Sequence, residues 1–345
     1  MTEARTGDRR GRAEREPETD AVVAVAGPPG VESALARLRE SGRLGVAVQP
    51  VTVDTERGLS PAGVAGVQIL WRQGRATPEW LRTAVEVLTD LAWVHTDFVG
   101  IDTLPVDELA RRGVIITNGV GNYTRPMAEW VVLSVLAAAK QLPHFVRQSD
   151  AGIWDPSSQL AELDGAVALV LGLGSVGALA ATMLAPLGVE IRGVTRAHRP
   201  APPPGVARLV ASADWRDHLG EADFVVCALP LTPETTGMID AAALAAMKPT
   251  AWLVNVARGA IVDEQALTRA LDAGEIGGAV LDAFVEEPLP AGHPLWGRPN
   301  VLVVPHHTWS SPRVLDRMGG LFADQLRAWV EGRPLANRVD VVAGY

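Results

Sequence analysis

Three side-chain types that can bind charge or move protons follow three apolar runs in the second half of the chain. They are Arg258 after residues 251–256, Glu286 and Glu287 after 278–281, and His306 and His307 after 301–304. Short apolar runs of this kind predict buried strands of a parallel sheet, and the carboxyl ends of such strands meet at one crevice. A guanidinium there can bind a carboxylate, and an imidazole can donate or accept a proton. The spacing therefore predicts a site for acid–base chemistry on an anionic molecule.

A glycine-rich turn stands between two other predicted strands. The apolar run 166–171 opens into Gly172-Leu173-Gly174-Ser175-Val176-Gly177, and a helical pattern and a second apolar run, 189–194, follow. In such a unit the first glycine allows a sharp turn, the second lets the backbone approach a pyrophosphate, and the third permits close helix–strand packing. The unpaired N–H groups at the helix start favour phosphates. The segment predicts a dinucleotide site that includes Ser175 and Val176, with an ordinary strand–helix turn as the alternative.

Composition excludes several classes of function. The 345-residue chain has a net charge of −9, which argues against nucleic acid as a partner. No apolar run approaches the length of a membrane span, so no membrane association is expected. The only cysteine, Cys227, allows no internal disulfide, and no metal site is expected. These features, with no secretory signal visible after Met1, predict a cytoplasmic protein.

Predicted strands and helices alternate along both halves of the chain. This order favours an α/β fold with two doubly wound parallel-sheet domains. Residues 1–20 are rich in Arg and Glu and predict a disordered tail. Two long helical patterns, 125–142 and 312–331, stand before and after the alternating segment of the second half.

Several motifs in one fixed order resemble the D-isomer-specific 2-hydroxyacid dehydrogenases between about residues 65 and 330. Beyond the glycine turn, the matching segments are 99–102, 117–118, 127–129, 229–235, 255–259 with 262–264, 281–288 and 305–306. The resemblance implies a Rossmann cofactor domain, 122–308, and a discontinuous flavodoxin-like substrate domain, 21–121 with 309–345. It places the active site in the cleft between them.

The resemblance also implies a catalytic set of Arg258, Glu287 and His306. The family has its acid directly before a proline and its histidine directly after one, which favours Glu287 over Glu286 and His306 over His307. Arg258 would hold the carboxylate of a 2-oxo acid and polarise its carbonyl. His306 would exchange a proton with that oxygen, and Glu287 would orient the ring and favour its protonated form. The nicotinamide itself supplies the hydride chemistry.

Further cofactor contacts are implied by the same motifs. They are Leu229, Pro230, Thr235, Val256, Ala257 and Asp282, the last facing the nicotinamide amide. Enzymes that use NAD usually carry an acid at the end of the second strand of the unit, where this chain has Thr195 and Arg196. Because no acid stands there and Arg196 can pair with a 2′-phosphate, NADP is preferred and NAD remains possible.

The sequence says less about the substrate than about the cofactor. The resemblance implies that Trp71, Val99, Gly100 and Trp309 line the pocket together with Arg258 and His306. A tryptophan at 309, where many members carry a small residue, would narrow the pocket, so a small 2-oxo acid such as glyoxylate or hydroxypyruvate is expected. A homodimer built around residues 125–155 is implied as well.

Two other classes of function remain open. The family includes dinucleotide-sensing corepressors that keep the fold, the three catalytic positions and a tryptophan placed like Trp309. The alternative is therefore a regulatory binding protein rather than a reductase. A Rossmann hydrolase that uses its cofactor transiently leaves the set Arg258, Glu287 and His306 unexplained.

Overall fold

The computed structural model describes residues 22–54, 63–74, 76–196 and 199–341, so the predicted tail 1–20 lies outside the described residues. Its strands form two sheets in which every pairing between strands is parallel. The first sheet consists of β1 (Val23–Gly27), β2 (Val48–Thr52), β3 (Ile69–Arg72), β4 (Trp93–Thr96) and β5 (Ile115–Thr117). Its order, β2-β1-β3-β4-β5, is the flavodoxin-like order.

The second sheet has seven strands. They are β6 (Val167–Leu171), β7 (Glu190–Thr195), β8 (Arg208–Ala211), β9 (Phe224–Cys227), β10 (Trp252–Asn255), β11 (Gly278–Leu281) and β12 (Val301–Val303). The order β12-β11-β10-β9-β6-β7-β8 reverses beside β6, which is the topology of a dinucleotide-binding sheet extended by one strand. The predicted fold class of two doubly wound parallel sheets is confirmed.

The helices cover both sheets. They are α1 (Val31–Glu40), α2 (Pro78–Val87), α3 (Val106–Arg111), α4 (Thr124–Ala139), α5 (Leu142–Ala151), α6 (Ser175–Leu184), α7 (Ala241–Ala245), α8 (Glu264–Ala273) and α9 (Val314–Val330). Side-chain caps fix the first residues of three of these helices. The side chains of Thr77, Asp240 and Asp263 accept hydrogen bonds from the first turns of α2, α7 and α8.

The last helix returns to the first sheet. Phe322 of α9 is fully buried and stacks on Trp71 of β3, with ring centroids 3.9 Å apart. The ring of Trp93 in β4 packs between Phe322 and Trp329, at 5.8 and 5.6 Å. Burial of aromatic rings of this size is a large part of a domain's stabilisation. The core of the first sheet is therefore completed by residues that follow the second sheet in sequence.

The predicted single helix 125–142 is wrong in one respect. The helix ends at Ala139, Gln141 takes a left-handed conformation with φ 48°, and α5 begins at Leu142 with Pro143 in its first turn. The polar residues Lys140 and Gln141 stand at this break, but polar residues also occupy the solvent face of a helix, so the pattern alone does not reveal the end of α4. The short edge strand β8 and helix α5 are both absent from the sequence-based prediction.

Candidate active site

The glycine turn joins β6 to α6 as its sequence predicts. Gly172 has φ +98°, and a Cβ there would lie 2.6 Å from the carbonyl oxygen of Ala228. A Cβ on Gly177 would lie 2.0 Å from the oxygen of Gly172, so the helix start packs directly on the turn. A Cβ on Gly174 would meet no heavy atom within 4 Å, so this glycine faces open space at the start of α6. Ser175 is exposed there, and no side chain caps the helix. The turn therefore fits a pyrophosphate held by backbone N–H groups.

Basic residues surround the end of β7. Thr195 is the last residue of that strand, and the exposed Arg196 follows it. Arg199 donates a hydrogen bond from Nη2 to the oxygen of Leu173, inside the glycine turn, at 3.1 Å. Glu234 lies near Arg196, and its pKa is lowered by a hydrogen bond with Thr232 and further by attraction to Arg196. The guanidinium of Arg199 thus contacts the glycine turn, and the sequence analysis had singled out Arg196 instead.

His306 and Glu287 form a direct pair. Nδ1 of His306 lies 2.7 Å from Oε2 of Glu287, and the two side chains are 41% and 36% exposed. The other carboxylate oxygen, Oε1, accepts a hydrogen bond from the N–H of Phe284 at 2.9 Å. His306 has φ 48°, a left-handed conformation that is uncommon outside glycine and often marks a functional position. The carboxylate thus fixes the ring and leaves Nε2 as the nitrogen that can face a reactant.

The loop that carries His306 is anchored by Asp282. The carboxylate of this buried residue accepts hydrogen bonds from the N–H groups of His307 and Thr308, at 2.7 and 3.2 Å. It also accepts one from the Thr308 hydroxyl at 2.5 Å. Burial raises the pKa of Asp282, and the hydrogen bond from Thr308 opposes that change. The observed contacts of Asp282 hold the loop, and its contact with a nicotinamide stays a prediction.

Arg258 reaches from the second sheet to a loop of the first. It follows β10, its Nη1 donates to the oxygen of Ala257 at 2.9 Å, and its Nη2 lies 3.4 Å from Oδ1 of Asp102. A Cβ on Gly100 would lie 2.1 Å from that Nη2, so only glycine leaves room for the guanidinium. Asn255 supports the turn by donating from its amide to the oxygen of Arg258, at 2.9 Å. The predicted residues Gly100 and Arg258 are therefore brought together.

Comparisons with known proteins place this geometry in a family. The family model for the NAD binding domain of the D-isomer specific 2-hydroxyacid dehydrogenases matches residues 132–308. The chain belongs to this family. It is 34% identical to glyoxylate/hydroxypyruvate reductase B of Pectobacterium carotovorum over 81% of this chain and 87% of that protein.

Two further relatives bear on the comparison. D-3-phosphoglycerate dehydrogenase of Mycobacterium leprae is 36% identical over 71% of this chain, which spans 46% of that protein's length. A solved structure of a D-isomer specific 2-hydroxyacid dehydrogenase from Xanthobacter autotrophicus, in complex with NADPH and MES, is 30% identical. It superposes with a TM-score of 0.78 over 94% of this chain and all of that one.

Aromatic side chains stand beside the loop that carries His306. Trp309 is 38% exposed, and its indole N–H donates to the oxygen of His306 at 2.9 Å. The ring of Tyr123 meets it edge-on, with centroids 5.9 Å apart, and Tyr123 in turn packs on Phe98. Val99, the next residue, is 39% exposed. Val99 and Trp309, both predicted to line the substrate pocket, thus lie in or next to this aromatic group. Tyr123 and Phe98 were not predicted, because nothing in their local sequence marks them.

Trp71 corrects one expectation about the pocket. Its side chain is 2% exposed, stacks on Phe322 and donates from its indole N–H to Oδ1 of Asp97 at 2.9 Å. It therefore belongs to the core of the first sheet and not to the lining of the cleft. Its position near the carboxyl end of β3 had suggested that Trp71 lines the cleft. Side chains of a strand alternate between the two faces of a sheet, however, and that of Trp71 lies on the face covered by α9.

Buried polar groups lie at the carboxyl ends of β3 and β4. Asp97 is 3% exposed, and burial raises its pKa to about 7. His95 is fully buried, which lowers its pKa to about 3, and Nδ1 of its ring lies 2.8 Å from the Thr117 hydroxyl. The guanidinium of Arg72 packs 4.2 Å from the ring centroid of Phe98. These buried groups lie at the edge of the first sheet from which the loop with Gly100 and Asp102 leaves.

The remaining predicted cofactor contacts lie on loops after β9 and β10. Leu229 is half-buried and Pro230 exposed, while the hydroxyl of Thr235 donates to the oxygen of Pro230 at 2.8 Å. Val256 and Ala257 are buried, so only their backbone can face a cofactor.

Among the described residues, no group of three or more His, Cys, Asp or Glu side chains could hold a metal ion. No helix in the described ranges is long and apolar enough to cross a bilayer.

Proposed function

We propose that this protein reduces a small 2-oxo acid to the D-2-hydroxy acid with a nicotinamide cofactor. The observation that carries the proposal is the 2.7 Å pair between His306 and Glu287, on the loops that follow the adjacent strands β12 and β11. Arg258 follows β10, the next strand of the same sheet. A proton donor, its orienting carboxylate and an anion-binding guanidinium thus follow three neighbouring strands, as reduction of a 2-oxo acid requires.

The residues have distinct roles in this reaction. Arg258 binds the carboxylate of the 2-oxo acid and polarises its carbonyl bond. His306 gives the proton on Nε2 to the carbonyl oxygen, because Nδ1 is held by Glu287. Glu287 stabilises the protonated ring and is itself positioned by the N–H of Phe284. In the oxidative direction His306 takes the proton back.

The residues around the glycine turn fit a dinucleotide. Gly172 and Gly177 allow the tight packing of the turn, and Gly174 faces open space, so the backbone N–H groups at the start of α6 can meet a pyrophosphate. The bound nicotinamide supplies the hydride that reduces the carbonyl carbon. Arg196 and Arg199 favour a 2′-phosphate, so NADP(H) is the preferred cofactor and NAD(H) the weaker one. The NADPH complex of the Xanthobacter relative supports this preference.

The substrate is a small acid such as glyoxylate or hydroxypyruvate. Trp309 lies directly against the carbonyl of His306 and is held by Tyr123. A ring fixed there limits the length of the substrate side chain. The name of the Pectobacterium relative, glyoxylate/hydroxypyruvate reductase B, supports the same size class.

The chain divides into a cofactor domain, 122–308, and a discontinuous substrate domain, 21–121 with 309–345. The return of α9 to the first sheet supports this division, because Phe322 packs on Trp71 and Trp93.

The single buried cysteine, Cys227, and the use of a nicotinamide cofactor support a cytoplasmic location. Cell fractionation tests the location.

A homodimer formed through α4, α5 and the segment after them completes the proposal. Large apolar side chains are exposed along this stretch: Leu133, Leu136, Leu142, Val146, Ile153, Trp154 and Leu160. Trp154 is 96% exposed, which is unusual for a tryptophan unless a partner covers it. Light scattering should give a dimer mass, and Val146→Glu should shift it to that of a monomer. Leu315→Glu, at an exposed leucine on α9, is the control and should stay dimeric.

Steady-state oxidation of NADPH and NADH against a panel of 2-oxo acids tests the proposed reaction. We expect turnover of glyoxylate or hydroxypyruvate, and His306→Asn should lower kcat by about 10²–10⁴-fold. Turnover that survives His306→Asn unchanged would overturn the assignment of His306. Tight cofactor binding without turnover of any acid would favour the regulatory alternative instead.

A further inference from the structure

The outer face of α9 forms a cavity of about 720 Å³ with Arg43 and the loop 120–122. None of the candidate catalytic or glycine-turn residues lines it. Four arginines do, Arg43, Arg313, Arg317 and Arg327, against two carboxylates, Asp316 and Asp324. The cavity is therefore positive although the whole chain carries a net charge of −9. We propose that it binds a multivalent oxyanion, with a phosphate group or a polycarboxylate as the ligand.

The arginines are held in place around the cavity. Nη1 of Arg43 donates to the backbone oxygen of Asp316 at 2.6 Å. A Cβ on Gly320 would lie 3.3 Å from that same nitrogen, so the glycine gives the guanidinium room on the helix surface. Arg327 donates to the oxygen of Arg43 at 3.3 Å. Positive charge is thus brought onto α9 from a distant part of the sequence.

Two of the guanidiniums keep hydrogen-bond donors that the described residues do not use. Nε of Arg317 donates to the oxygen of Asn122 at 2.6 Å, but its buried Nη2 has no partner among the described residues. The exposed side chain of Arg313 forms no ion pair or hydrogen bond within the described ranges. A third guanidinium is paired, because Nη1 of Arg327 lies 3.7 Å from Oδ1 of Asp324. Planar guanidinium donors match the oxygens of phosphate and carboxylate groups, which supports an oxyanion as the ligand.

Calorimetric titration of the full chain with inorganic phosphate, and separately with citrate, tests the proposal at constant ionic strength. We expect one anion per chain, and the probe that binds more tightly identifies the oxyanion. Arg43→Ala/Arg313→Ala should weaken binding at least tenfold. Arg333→Ala, which removes an exposed arginine outside the cavity, should leave it unchanged. If the double variant fails to fold, Arg313→Ala alone should still weaken binding, because its side chain supports no described contact.

Other basic sites on the chain must be distinguished from the cavity. Arg258→Gln and Arg196→Ser/Arg199→Ser should both retain the anion. The proposal is overturned if the wild type shows no saturable binding of either probe. It is also overturned if binding persists unchanged in Arg43→Ala/Arg313→Ala, and loss of binding in Arg258→Gln or Arg196→Ser/Arg199→Ser would then assign the anion to the cleft. These outcomes do not depend on catalytic turnover, so they stand apart from the proposed reaction.

Discussion

Nη2 of Arg258 lies 3.4 Å from Oδ1 of Asp102, although the two residues follow strands of different sheets. The pair links the loop after β10 to the loop after β4 across the cleft. Both side chains are partly exposed, so the contact contributes little to stability and matters for orientation. Gly100 allows the approach because it has no Cβ.

Asp102→Ala should lower kcat/KM for the 2-oxo acid by about 10–100-fold, since a guanidinium displaced by about 1 Å costs on that order. The loss should appear mainly in KM, because Arg258 binds the substrate carboxylate. Steady-state kinetics with the preferred acid provide the measurement. Asp107→Ala, at an exposed position on α3, is the matched control and should leave both constants unchanged. Equal kinetics for the two variants would contradict a positioning role for Asp102.

Two glycines of the same turn should respond differently to alanine. Gly177→Ala places a Cβ 2.0 Å from the oxygen of Gly172, so overpacking should lower the free energy of unfolding by about 1–3 kcal/mol. Gly174→Ala meets no heavy atom within 4 Å and should unfold like the wild type. Its Cβ instead occupies space needed by a pyrophosphate, so the cofactor Kd should rise more than about tenfold. Urea unfolding and fluorescence titration measure both effects, and an unchanged Kd in Gly174→Ala would argue against a pyrophosphate at this turn.

Cofactor preference should depend on Arg196. Arg196→Ser removes a guanidinium at the end of β7, and we expect the ratio of kcat/KM for NADPH over NADH to fall about tenfold, the cost of roughly one charge-assisted hydrogen bond. Efficiency with NADH should change little. Arg208→Ser, at an exposed position on β8, controls for loss of positive charge. A ratio that stays constant, or a wild type that prefers NADH, would refute the assignment.

The buried Asp97 should make stability depend on pH. Burial raises its pKa to about 7, well above its ordinary value of 3.8, so the folded state holds the proton more tightly than the unfolded chain. The free energy of unfolding should therefore fall as the pH rises from about 4 to 7. Asp97→Asn stays neutral and can still accept the hydrogen bond from Trp71. It should exceed the wild type in stability by about 2–4 kcal/mol at pH 8, and the gain should vanish near pH 4.

Urea unfolding at three pH values checks this expectation. Asp217→Asn, at an exposed aspartate, provides the control and should follow the wild type throughout. A stability difference between Asp97→Asn and the wild type that does not vary with pH would show that the carboxyl titrates normally.

Much of the architecture could be predicted because its signals are local. A few neighbouring residues are enough to predict the strands β6 and β10 from their apolar runs. The same is true of the turn between β6 and α6, which its glycines predict. The fold class and the family are confirmed, and the roles of Arg258, Glu287 and His306 stay predictions supported by the geometry. The pairing of His306 with Glu287 agrees with positions inferred from the neighbouring prolines.

What the sequence did not reveal depends on contacts between distant residues. Asp102 carries no local sign that it meets Arg258, and Trp71 looks like a pocket residue until its stacking on Phe322 is seen. The break between α4 and α5 depends on the left-handed conformation of Gln141, which a residue other than glycine does not signal locally. Local propensity is weak evidence where tertiary packing decides the outcome.

The stacking of Phe322 on Trp71 has a consequence for synthesis on the ribosome. The strands of the first sheet are made early, but the ring that buries Trp71 and Trp93 belongs to α9, which follows the whole second sheet. The second sheet and its helices can therefore fold while the first sheet still exposes tryptophan to solvent. A nascent chain halted before α9 should bind chaperones through that open face. Release of the last helix completes the first sheet and, with it, the second wall of the cleft.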